Sequence, residues 1–144
     1  MRALVILLAL ALVLTLFAAF PAAAKTTTLE DLEKVVKEYG AEIQKETPDY
    51  GPINARASNA VAGLSKMSSR EAEAVIKILQ FDEAVDPGRT VFDSAFGVLE
   101  KNKAALDAAS KKLPKKEAED LQSHIRLSIE ANTVGQDQPP HPKK

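Results

Sequence analysis

Cysteine and tryptophan are absent from this 144-residue chain, and only two histidines and six glycines occur in it. Without cysteine there is no disulfide scaffold, no lipidated N-terminal cysteine, no thiol nucleophile and no thiolate-held metal. A zinc or imidazole site needs several convergent ligands, and His124 and His141 stand far apart, outside the motifs that set two histidines on one helix face. No Gly-x-Ser-x-Gly elbow, no phosphate-cradling glycine loop and no Ser-Lys signature is present. Charge of one sign is lacking too: 19 basic residues face 20 acidic ones, which gives no general attraction to nucleic acid or anionic lipid. The expectation is a non-enzymatic protein with no cofactor, no metal and no nucleic-acid partner.

What the chain does have is one long hydrophobic run, with 21 apolar residues in the first 24 positions. Arg2 supplies a positive start, Ala3 to Phe20 is apolar except for Thr15, and Pro21 breaks the run before Ala22-Ala23-Ala24. This pattern reads as a secretory signal peptide with cleavage before Lys25. An uncleaved anchor is the alternative, because 18 positions reach the lower edge of the roughly 17–25 residues that span a bilayer. The proline and the Ala-x-Ala site favour cleavage, and the expected location is extracellular, or periplasmic in a bacterium. Residues 1–24 are then the leader, 25–131 a helical domain and 132–144 a disordered tail. The 120 residues after the leader suffice for one unstapled core, so one domain is expected.

Helical periodicity dominates the rest. Thr28 is placed to cap a helix to about Glu46, with Leu29, Leu32, Val36, Tyr39 and Ile43 on one stripe. A weaker helix follows from about Pro52 to Leu64, after the Pro48 to Pro52 turn. Ser68-Ser69-Arg70-Glu71 has the form of a capping box and predicts a helix from Ser69 to about Ala84. That helix carries two apolar rows and so should be central. Thr90 is expected to cap a long helix to about Lys112, in which Phe92, Leu99, Leu106 and Leu113 recur every seven residues. Pro114 opens the last helix, with Ala118, Leu121, Ile125 and Ile129 on its face. No segment alternates with period two, so the fold class is all-α, a bundle of four or five helices.

Candidate sites are few. Val75, Ile78, Phe81, Phe92, Phe96 and Leu99 supply most of the large apolar bulk on two adjacent helices, and they form either a packed core or the lining of a lipid-sized cavity. The packed core is the preferred reading. Lys111, Lys112, Lys115 and Lys116, with Lys101 and Lys103 upstream, form a candidate patch for an anionic partner; Glu117, Glu119 and Asp120 follow at once, so a solvated helix end is preferred. Asp82, Glu83 and Asp86 cluster without the spacing of a calcium loop and read as helix-end and turn residues. His124 reads as a solvated helix residue. Glu71, Glu73 and the Glu117, Glu119, Asp120 group are better explained as helix-start charges than as acid–base pairs.

Two stretches, Lys66-Met67-Ser68-Ser69-Arg70-Glu71-Ala72 and Lys112-Leu113-Pro114-Lys115-Lys116 with Asp120-Leu121 after it, resemble the nematode secreted antigens of the SXP type. The resemblance spans about Leu29 to Ile125. The chain departs from that family in lacking a tryptophan in its first helical region and in a longer gap between the two stretches. The resemblance implies a secreted, all-helical, disulfide-free, antigen-like protein, and it carries over no catalytic residue.

The functional expectation is a secreted helical binding protein, monomeric or weakly dimeric, for a protein partner or an apolar small ligand. The alternative is an extracellular effector or interaction module acting through its surface, with Pro139-Pro140-His141-Pro142 in a flexible arm. A membrane-lytic protein is the third class, and the acidic polar side of the first helix argues against it.

Overall fold

A computed structural model describes residues 26–86 and 88–134 of the chain. The expected leader, residues 135–144 of the expected tail and His141 lie outside the described residues. Six helices and no strand occur among the described residues, an all-α bundle. They are α1 (Leu29–Ile43), α2 (Tyr50–Ala62), α3 (Ser69–Val85), α4 (Thr90–Lys101), α5 (Lys103–Ser110) and α6 (Lys115–Val134).

Two helices begin where local sequence demands it. Thr28 caps α1 in a reciprocal box: the Asp31 N–H donates to Thr28 Oγ1 at 3.2 Å and the Thr28 N–H donates to Asp31 Oδ2 at 2.9 Å. Ser68 and Glu71 do the same for α3, at 3.2 and 2.7 Å. α2 starts two residues earlier than expected because Asp49 accepts the Gly51 N–H at 3.2 Å, which leaves Pro52 in the first turn, where no N–H is needed. α1 stops at Ile43, and Glu42 turns back to accept the Asp49 N–H at 2.8 Å, bracing the connection to α2.

The core forms around α3, which packs against α1, α2, α4 and α5. Ala72, Val75, Ile78 and Leu79 of α3 have no exposure, as expected of a helix with two apolar rows. Leu32 and Tyr39 meet them from α1, Ile53, Ala57 and Val61 from α2, and Leu121 and Ile125 from α6. The seven-residue row holds: Phe92, Leu99 and Leu106 are buried, with Leu113 packed against the cluster.

The helix carrying that row is not continuous. The single helix expected from Thr90 to Lys112 is broken at Asn102, between α4 and α5. Asn102 is 6% exposed, and its side chain holds the segment between α2 and α3: Oδ1 accepts the Met67 N–H at 2.8 Å, while Nδ2 donates to Ser65 O at 2.7 Å and Val98 O at 2.9 Å. Met67 is itself buried, so its N–H needs a protein acceptor. At the other end of the chain, α6 continues to Val134, past the expected limit at Ala131. Asn132 Nδ2 donates to Ser128 O at 2.8 Å there, within the last turns.

Candidate functional site

Functional geometry concentrates where α3 ends and α4 begins. Thr90, expected as the cap of α4, is instead its first helical residue; Arg89 holds the cap position and makes no side-chain capping bond. The free N–H groups of α4 are taken by carboxylates from the end of α3. Asp86 Oδ2 accepts the Thr90 N–H at 3.0 Å and the Thr90 hydroxyl at 2.6 Å, and its Oδ1 accepts the Gly88 N–H at 2.9 Å. Asp82 Oδ2 accepts the N–H groups of Val91 at 3.1 Å and Phe92 at 3.4 Å. Two negative groups at a helix N-terminus also complement its dipole.

The two aspartates differ electrostatically because they differ in burial. Asp82 has no exposure, and its Oδ1 has no hydrogen-bond partner among the described residues. Burial pushes its pKa up from the ordinary carboxylate range to about 6, against the opposing pull of the Phe92 and Val91 N–H groups. Asp86 is held below its usual value, by the Thr90 hydroxyl first and then by the Thr90 N–H. Buried Tyr39 is pushed upward by burial and then by the charges of Asp82 and Asp86, and its hydroxyl donates to Asn54 Oδ1.

His124, on α6, completes the corner. It is not a solvated residue: its side chain is 22% exposed, its buried Nδ1 lies against the Glu83 carboxylate without a hydrogen bond, and Nε2 is 3.1 Å from Nη2 of Arg89. Phe92 meets the imidazole edge-on, at 6.5 Å between centroids and 90° between planes. The arrangement thus joins α3, the start of α4 and α6 through three charged or ionisable groups. Its sequence signals were present but weak. Asp82 falls on the buried α3 row with Val75 and Leu79, and His124 falls one turn after Leu121.

Five of the six apolar candidates share the core cluster or pack against it, and Phe96 does not. Val75, Ile78, Phe92 and Leu99 have no exposure, while Phe81 and Phe96 are half-buried. Phe81 stacks on Tyr39, with ring centroids 5.3 Å apart. Three surface clefts lie elsewhere: one of about 560 Å³ between α1 and α2, one of about 370 Å³ between α5 and α6, and one of about 310 Å³ between α1 and α3. None of the six candidates lines these three.

Lys111, Lys112, Lys115 and Lys116 are all exposed at the α5–α6 connection, as are Lys101 and Lys103. Two of them have carboxylate neighbours. Lys112 pairs with Glu73, holding that carboxyl below its usual range, and Lys115 reaches Glu119 at 3.8 Å. The Lys112–Glu73 pair joins the connection between α5 and α6 to α3. Among the described residues no group of three or more histidine and carboxylate side chains is arranged to hold a metal ion. No described helix is long and apolar enough to cross a membrane. No protein-family model, no curated protein and no solved structure matches the chain.

Proposed function

We propose that this chain is an exported helical module that acts without catalysis, by presenting its surface to a protein partner. The observation that supports it is the division of labour between interior and surface. Val75, Ile78, Phe92 and Leu99 of α3 and α4 share a core, whereas a cleft of about 560 Å³ between α1 and α2 is lined by Asp31, Lys34, Glu38 and Arg56 beside apolar Val35 and Ala60. Arg56 Nε reaches Glu38 Oε2 at 3.2 Å, so the two helices hold charges of both signs in fixed places. Such a lining suits a polypeptide, which offers N–H and C=O groups and side chains of either sign. A fatty acid, with one charged end and a long apolar chain, finds little to cover it there. The signal-like run before Lys25 and the similarity to secreted SXP-type antigens agree with this reading.

A lipid carrier would behave differently in two assays. Titration of the purified protein with a fluorescent fatty acid should give no saturable uptake. Partner capture from the natural extracellular fluid should weaken when Lys34 and Arg56 are both reversed to Glu. Saturable, one-to-one fatty-acid binding would return the apolar residues on α3 and α4 to the role of cavity lining and overturn the proposal.

A further inference from the structure

The groove of about 310 Å³ between α1 and α3 has charged walls and a small apolar floor. Glu33 stands on the α1 side, Arg70, Glu73 and Lys77 on the α3 side, and half-buried Val36 and buried Ala74 lie between them. The four charges are not equivalent. Glu73 is engaged by Lys112 from the α5–α6 connection, and that bond first holds its carboxyl below the usual range, with Arg70 and Lys77 adding to the pull without touching it. Arg70, Lys77 and Glu33 are exposed and make no ion pair among the described residues. With Lys112 cancelling Glu73, the α3 wall keeps two uncompensated positive charges and the α1 wall one negative charge.

The spacing of the two cations selects the shape of what can answer them. Arg70, Ala74 and Lys77 occupy positions i, i+4 and i+7 of α3, one stripe of the helix. At about 1.5 Å per residue, Arg70 and Lys77 stand about 10 Å apart along it. An extended strand repeats its side chains on one face at about 7 Å and then about 14 Å, so it sets a carboxylate opposite one cation and misses the other. A second helix carrying acid, apolar and acid residues at the same i, i+4 and i+7 matches both.

We propose that the α1–α3 groove docks an acidic amphipathic helix of a protein partner. Two carboxylates of that helix lie against Arg70 and Lys77, the apolar side chain between them settles on Val36 and Ala74, and a basic residue on its other flank meets Glu33. This is recognition of a helix in a groove, with charge fixing the register. The groove shares no residue with the α1–α2 cleft, so it is a second contact surface. Exposed ion pairs are individually weak and screened by salt, so the two carboxylates have to act together. A flexible polyanion has no such order, and it would draw on exposed Lys111, Lys115 and Lys116 as readily as on Arg70 and Lys77.

The probe is an alanine-based helical peptide, blocked at both ends, with Glu, Leu and Glu at i, i+4 and i+7, added to the full-length chain. Binding should be saturable, weaken as salt is raised, and shift backbone amide signals of α1 and α3. Arg70→Glu with Lys77→Glu turns both attractions into repulsions and should lower the affinity at least about tenfold. The same double variant should bind the peptide that carries Lys, Leu and Lys at those positions, which also shows that it is folded. Lys34→Glu with Arg56→Glu, aimed at the α1–α2 cleft, should leave this binding within about twofold of the original, so the two surfaces fail separately. Absence of binding would overturn the assignment. So would equal binding of a peptide of the same composition with its two Glu on opposite faces, an equal loss on reversing Lys111, Lys115 and Lys116, or self-association of the chain that the Arg70 and Lys77 reversals abolish.

Discussion

Replacing Asp82 by Asn tests how a buried carboxylate at the α3–α4 corner trades capping against desolvation. Asn keeps an oxygen for the N–H groups of Val91 and Phe92 and discards the charge. The folded protein raises the carboxyl from 3.8 to about 6, chiefly by burial, and the side chain has no exposure to screen it. A raised carboxyl pKa means that the folded state holds the proton more tightly than the unfolded chain. This group's stabilising contribution is therefore fully present below its unfolded value and is lost as pH rises through about 6. At about 1.4 kcal/mol per pH unit, the loss amounts to about 3 kcal/mol between pH 3 and pH 7, with about 1 kcal/mol of it between pH 5 and pH 7. Asp86, Glu42 and Glu73, whose values are lowered, oppose it only below the ordinary carboxylate range, so the window from pH 5 to 7 isolates Asp82 from them. Urea unfolding of Asp82→Asn should show less destabilisation with rising pH across that window than the wild type, and at pH 7 the variant should be the more stable by up to about 3 kcal/mol. Asp82→Ala discards the same charge but strips the caps and leaves the buried Val91 and Phe92 N–H groups unpaired, so at pH 7 it should be less stable than Asp82→Asn by about 2–4 kcal/mol. Equal destabilisation by Asn and Ala at pH 7 would show that the cost of burying the charge does not outweigh the capping bonds, and would refute the expectation.

Asn102→Ala should lower stability by about 2–3 kcal/mol in thermal or urea unfolding, since it orphans the buried Met67 N–H and the Ser65 carbonyl together; a change under about 0.5 kcal/mol would mean that the α2–α3 segment finds other partners. The protein beginning at Lys25 should remain in the aqueous fraction when floated with anionic vesicles at physiological salt, because Lys112 and Lys115 already have carboxylate partners. Flotation of a substantial fraction would turn the lysines from Lys101 to Lys116 into a working surface.

What the sequence by itself determined is whatever a residue settles with neighbours three, four or seven positions away. The boxes at Thr28 and Ser68, the central α3, and the row Phe92, Leu99, Leu106 are of this kind, since a helix brings such positions onto one face wherever it lies in the fold. Asn102, Asp82 and His124 also stand on those faces, in phase with Leu99, Leu79 and Leu121, so a polar group in a buried row was visible in the sequence. Its partner was not. Asn102 finds Met67 across 35 positions, His124 finds Arg89 across 35, and Asp82 reaches over the turn to Val91. A buried polar group must be paired, but only the packing of helices distant in sequence decides with what. That choice turned one expected helix into α4 and α5, moved the capping of α4 from Thr90 to Asp82 and Asp86, and set His124 between Glu83 and Arg89.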